Sequence, residues 1–334
     1  MEQKGGYYMK YALSVLLLGL MVFGYAESPI YGYFWTRYTY ENPTTPEVEE
    51  NEHYFSIERG YIRWKTKTNP VSFKGTIDIT SKKDATANTD WQIRLKYAQA
   101  DWTLPGIGEY LPSAKLMVGL QKVYFGIVDL WGYPVIEKNL EEAEKKMNSA
   151  ELGVGFHSLL PGGYGEFSIQ AFNGNGYSNV VEVNTNKALV ANLAVMPMPL
   201  LMLKGSYWMA EQPSGDTIIT QVDQDRYVGL IQFKYGPITL IGEYLGTKDD
   251  EINGMGYMGF AEFAVTKALS VLGRYDYYDS DTDTDDNGHN RIIGGINWKV
   301  SKHLLTQVNY QMKTFEEADR DSEDKVMVQF KVSY

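Results

Sequence analysis

The feature that most constrains this chain is a two-residue periodicity that recurs along its length and runs into the final residue. In "KVMVQFKVSY" one parity carries Val326, Val328, Phe330, Val332 and Tyr334, and the other carries Met327, Gln329, Lys331 and Ser333. Such alternation gives a β-strand one apolar and one polar face. A strand of this kind with a free edge invites aggregation. It is therefore expected to be paired on both sides, with its apolar face against something other than water.

Segments of the same kind fall near 30–40, 53–66, 71–80, 91–104, 114–123, 149–158, 164–173 and 187–196. They continue near 199–210, 226–235, 237–246, 255–266, 268–278, 290–300, 302–314 and 324–334, making sixteen. Each is about ten residues or a little more, the length of a tilted membrane strand.

The connections alternate in character. "TNPV", "PGGYG", "MPMP", "GP", "TKA" and "VSKH" are tight, with "PGIGEYLPS" somewhat longer; the others are long, polar and mostly acidic. Short turns at one end and long loops at the other predict an all-β, 16-stranded antiparallel transmembrane β-barrel. The last strand closes against "IYGYFWTRYTY", so no edge remains. A soluble β-sandwich would need as many strands without that one-sided loop asymmetry.

"MKYALSVLLLGLMVFGYA" reads as a secretory signal peptide cleaved after about Ala26, with Met9-Lys10 a better start than Met1 to Tyr8. This leaves 27–334 as one outer-membrane barrel domain in a Gram-negative-type envelope. The terminal aromatic strand resembles the signal read by the outer-membrane assembly machinery. No later segment is long and apolar enough for a spanning helix.

Catalysis finds little support. There is no cysteine, and the four histidines His53, His157, His289 and His303 are far apart. Neither a G-x-S-x-G elbow nor an H-E-x-x-H pair is present, so no catalytic residue and no cofactor is expected. A net charge of −11 argues against nucleic acid.

The parity opposite the apolar face is expected to line a lumen. It places Lys74, Arg94, Lys96, Lys115, Lys204, Lys234, Arg274, Arg291, Lys299, Lys313, Lys325 and Lys331 inward. The inward acids are Asp78, Glu151, Glu166, Glu243, Glu262 and Asp276, half as many. Arg59 and Arg63 sit in a strand that alternates poorly. A basic side chain on the lipid face would cost about 2–4 kcal/mol at mid-depth. The wall therefore predicts a weak to moderate anion preference.

The longest connection, 124–148, is apolar and aromatic in its first half. It is expected to fold into the pore as a third long loop, packing Leu130, Trp131 and Val135 against the wall. Its second half, Lys138 to Met147, reads as a helical turn or two with Glu141/Lys145 and Glu142/Lys146 pairs. Asp129, Trp131, Glu137, Lys138, Glu141, Glu142, Lys145 and Lys146 are its constriction residues. A subunit-contact loop is the other reading.

"VGLQKVYFGIVDL", running into this loop, and "IERGYIRWKTK" before it resemble the phosphate-selective porin O/P family. The resemblance implies a homotrimeric sixteen-stranded channel with a folded-in third loop and a preference for anions, phosphate among them. Against this, the loop carries Asp129, Glu137, Glu141, Glu142 and Glu144 beside Lys138, Lys145 and Lys146, where a phosphate channel would concentrate lysine.

Residues 41–52, 279–289 and 315–324 each carry −5, an acidic rim expected to share divalent cations with lipopolysaccharide. Within it Asp283, Asp285 and Asn287 match the opening of a calcium loop. The twelfth position is Gly294, where the bidentate Glu belongs, so the segment reads better as a solvated loop. Together these features describe a passive channel for small polar solutes. A carbohydrate- or other substrate-selective channel and a non-conducting surface-binding barrel stay open as alternatives.

Overall fold

The computed structural model describes residues 30–42, 52–82, 90–178, 186–213 and 221–334. The signal segment and most of the first acidic loop lie outside the described residues. The first eight strands are β1 (Tyr31–Glu41), β2 (Glu52–Thr68), β3 (Val71–Lys82), β4 (Asp90–Thr103), β5 (Lys115–Lys122), β6 (Ala150–Leu159), β7 (Gly165–Phe172) and β8 (Ala188–Met198). The rest are β9 (Leu201–Pro213), β10 (Gln221–Tyr235), β11 (Ile238–Asp249), β12 (Ile252–Ala264), β13 (Leu269–Asp279), β14 (His289–Lys299), β15 (Leu304–Phe315) and β16 (Glu323–Ser333).

Every strand pairs antiparallel with its sequence neighbours, and β1 pairs with β16, closing the barrel. The closing register runs from Tyr33 opposite Ser333 to Glu41 opposite Lys325. Tyr334 completes the seam, its hydroxyl donating to the Tyr61 carbonyl. The periodic ending of the chain is thus a paired strand. No helix among the described residues is long and apolar enough to cross a membrane, which says nothing of strands.

Alternation governs burial. Along β9, Lys204, Ser206, Trp208 and Ala210 are buried while Leu203, Tyr207 and Met209 are exposed. The outer parity thus carries the aliphatic and aromatic residues, as a lipid-facing wall requires.

Two β-bulges break that parity. Trp35 pairs with Arg59 and Thr36 with Ile57, so Glu58 is an extra residue in β2. Before it the odd position Phe55 is 78% exposed, and after it the odd position Tyr61 is 3% exposed. This phase reversal is why the strand alternates poorly in sequence. In β4, Lys96 is the extra residue between Leu95, opposite Ile77, and Tyr97, opposite Thr76. A bulge re-aims side chains locally. These two turn Arg59 and Lys96 toward the same ring, that of Tyr61.

The hydrophobic core lies on the inner parity of the wall. Val123, Phe125, Ile127, Trp131, Val135 and Leu140, from the connection between β5 and β6, pack with Val228, Leu230, Leu245, Met258, Phe260, Leu272 and Ile293. Fully burying each large side chain contributes about 1.5–3 kcal/mol. The long connection is therefore held mainly by apolar packing against β10–β14.

Candidate functional site

The connection between β5 and β6 is fastened to the inner parity of the wall by its own backbone. Tyr124 N donates to Gln170 Oε1 (2.9 Å) and Gly126 N to Ser206 Oγ (3.0 Å). Asn297 Nδ2 donates to the Pro134 carbonyl (2.8 Å), Gln307 Nε2 to those of Tyr133 and Pro134, and Arg274 to that of Lys138. Gly126 has φ +47°, and a Cβ there would strike Glu141 Oε1. Glycine is needed for both reasons.

One short helix, α1 (Leu140–Ala143), follows, with Asn139 Oδ1 accepting from Glu142 N (2.8 Å) as its N-cap. The expected i,i+4 pairs are not made. Lys145 has φ +56°, which ends the helix, and Lys146 pairs with Asp249 (2.8 Å) instead. Trp131 and Val135 are buried as expected, but Leu130 is 41% exposed.

Around this segment the wall cations are neutralised. Lys204 pairs with Asp129, and Lys122 lies 4.0 Å from the same carboxylate. Arg226 pairs with Asp249 (2.7 Å), Arg274 with Asp276 (2.7 Å), and Arg291 with both Asp276 (3.2 Å) and Glu144 (3.0 Å). Burial pushes the Glu144 carboxyl up, but the hydrogen bond from His289 and the charge of Arg291 hold it below the usual carboxylate range. Burial likewise opposes ionisation of Glu137, and Arg291 and Arg274 outweigh it. Glu141 differs. Burial raises its carboxyl to about 7.

The opposite wall, β16 with β1 to β4, is built otherwise. Arg63 lies over the rings of Tyr33 (4.8 Å) and Tyr61 (4.6 Å), and Lys331 over Tyr33 (4.4 Å) and Trp35 (5.6 Å). Lys96 lies over Tyr61 (5.4 Å) and Tyr177 (5.1 Å), and Lys74 over Tyr97 (5.7 Å). Among the described residues none of these four has a carboxylate within 4 Å. Arg59 stacks on Trp35, Tyr61 and Tyr133, donates to the Tyr133 hydroxyl (3.0 Å) and keeps Asp78 at 3.7 Å. Aromatic faces attract cations without cancelling their charge.

The remaining sequence candidates scatter. Arg94 donates to Ser178 Oγ (3.0 Å), Lys115 pairs with Asp101 (3.4 Å), and Lys299 is exposed at the short-turn end. Lys138 is exposed, and Glu142 receives the Asn139 amide (2.8 Å). Asp283 and Asp285 are exposed. Asn287 donates to the Asp281 carbonyl (2.9 Å), and the described residues contain no group of three or more acids or histidines placed to hold a metal. Two features escaped the sequence. Arg226 stood on a strand boundary, and Tyr177, in the connection after β7, reaches in to donate to Asp78 (3.3 Å).

No family model matches the chain, and no curated protein matches it in sequence. In structure it is similar to OprB of Pseudomonas putida (TM-score 0.68, 10% identity, 92% of this chain and 94% of that one). It is also similar to an anion-selective porin from Comamonas acidovorans (TM-score 0.62, 13% identity, 92% and 99%). The trimer form of OmpT, an outer-membrane protein of Vibrio cholerae, matches with TM-score 0.61 at 11% identity over 92% and 99%. These likenesses are of fold: the chain is built as an outer-membrane porin barrel is built.

Proposed function

We propose that this protein is an outer-membrane porin, a passive channel for small polar solutes and ions with a weak to moderate preference for anions. The observation that carries this is the uneven neutralisation of the barrel interior. Charged groups on the β10–β14 side are tied to one another. On the β16–β4 side Arg63, Lys74, Lys96 and Lys331 lie over aromatic rings with no carboxylate within 4 Å among the described residues. Wall charges within a Debye length of about 8–10 Å act on every passing ion.

Two carboxylates of the long connection are already paired: Asp129 is spent on Lys204 and Glu144 on Arg291. Glu142, which receives the Asn139 amide, bears on Lys96 and opposes part of this field, hence only a weak to moderate preference. The connection narrows the passage from the opposite side, and its neutral packing leaves the cations as the selective surface. Phosphate is the finer expectation that the two O/P-like stretches add, and trimeric assembly is supported by the trimer form of a similar fold.

Zero-current potentials across a KCl gradient in planar bilayers test the reading. An anion-selective value is expected; cation selectivity that persists at high salt would overturn it. Deleting about 136–146 should raise single-channel conductance, and an unchanged conductance in a folded barrel would remove the constriction.

A further inference from the structure

A cavity of about 150 Å³ runs along β1 from Trp35 to Glu41, between the wall and the part of the long connection from Tyr133 to Lys138. A hydrophobic space of about that size accommodates one six-membered ring. Its surfaces suit a ring. Trp35, Tyr54 and Tyr133 border it with Ile136 and Met327, giving flat and aliphatic walls.

Its charge suits an anion. Of its acids, Glu58 is bound to Arg37 (3.2 Å) and Glu41 to Lys325 (3.4 Å). Glu137 accepts from Lys138 N (2.8 Å) and is balanced from behind by Arg291 and Arg274. Lys138 then stands as a cation without a carboxylate partner, and Arg59 beside it keeps Asp78 only at 3.7 Å, from behind the cavity lining. One further N–H group borders the cavity with no hydrogen-bond partner, Trp35 Nε1. Buried donors left unmade are costly, and an acceptor from a solute removes that cost. Gln311 Oε1, on the same lining, is an unpartnered acceptor that suits a solute hydroxyl.

We infer that this cavity is a binding site for ring-bearing carboxylates, either aromatic acids or sugar acids, that the channel admits. The ring lies between Trp35 and Tyr133, and the carboxylate meets Arg59. This rests on the channel reading for its route of access but not for binding itself, so the two fail separately.

The test uses the full-length protein in two formats. In planar bilayers, sodium benzoate, glucuronate, acetate and benzylammonium are compared as blockers of KCl current. In detergent micelles their binding is measured by calorimetry. Benzoate, glucuronate or both should act at about tenfold lower concentration than acetate, because only they bury a ring. A stronger effect of the aromatic acid or of the sugar acid identifies the class. Trp35→Phe keeps a ring and removes the donor, and should weaken binding about tenfold. Trp298→Phe, on the outer wall, should leave it unchanged. If Trp35→Phe does not fold, Lys138→Gln on the exposed connection reads the same site and should also weaken binding. Equal potency of acetate and the ring acids, or tighter binding of benzylammonium, would overturn the assignment. Micelle binding without any conductance would sink the channel and leave the site.

Discussion

The two halves of the barrel interior handle charge in opposite ways. On the β10–β14 side Arg226, Arg274 and Arg291 each meet a carboxylate, and the spaces between are filled by Phe125, Leu140, Leu245 and Ile293. On the β16–β4 side Arg37 and Lys325 pair with Glu58 and Glu41, but Arg63, Lys74, Lys96 and Lys331 meet tyrosine and tryptophan rings instead. The first arrangement leaves little net field and much packing; the second leaves a field. The same residue types therefore serve attachment on one wall and, in the function proposed above, selection on the other.

Breaking the neutralised half should produce the largest effect. Lys204→Met strands the buried Asp129 carboxylate and should cost about 3–5 kcal/mol. The double change with Asp129→Asn should recover most of it, measured by heat-modifiability in detergent. If the single and double variants lose the same amount, the pair is not what holds the segment.

Packing comes next. Leu140→Ala should cost about 2–5 kcal/mol through the cavity it leaves. Limited proteolysis of the β5–β6 connection should reveal it as faster cleavage. A variant as resistant as wild type would mean that the hydrogen bonds alone hold that segment.

The field-bearing half should respond in reverse. Arg63→Gln, Lys74→Gln and Lys331→Gln together remove cation–ring contacts worth about 0.5–1 kcal/mol each. Stability should thus change little for so many buried-side changes, while the zero-current potential moves toward zero or reverses. Retained anion selectivity would break the contrast between the walls.

The smallest expected effect is a pH dependence. Glu141 is raised from its ordinary 4.5 to about 7 by burial, so the docked segment holds a proton that the released segment gives up. Docking should weaken as pH rises from about 4.5 to about 7 and stay level above. Glu141→Gln should abolish that slope in the proteolysis rate. A slope that survives would assign it to another group.

Sixteen strands were legible because a lipid-facing wall forces alternation that few residues escape. The loop asymmetry held less well, since the β11–β12 connection, read as 247–254, is a tight turn at 250–251. The bulges were not legible. An extra residue such as Glu58 or Lys96 shifts phase without changing composition, so Arg59 could not be oriented from its strand. The interior core was half visible. Stretches such as "YVGLIQF" and "GYMGFAEF" are apolar on both parities, which a wall between lipid and water does not need. That excess marks where a greasy connection is received. Tyr177 left no signal, because only its contacts with Asp78 and Lys96 distinguish it from other loop tyrosines.

The seam between β1 and β16 has a consequence for descent as well as for folding. Around a ring in which every neighbour runs the opposite way, direction must return to its starting value after one circuit. An odd number of strands would force one parallel pair. A related chain that gained or lost wall segments while keeping this geometry would have to do so by whole hairpins, changing the circumference in steps of two. Substitution can adjust what the passage admits gradually, whereas its girth changes only by such jumps.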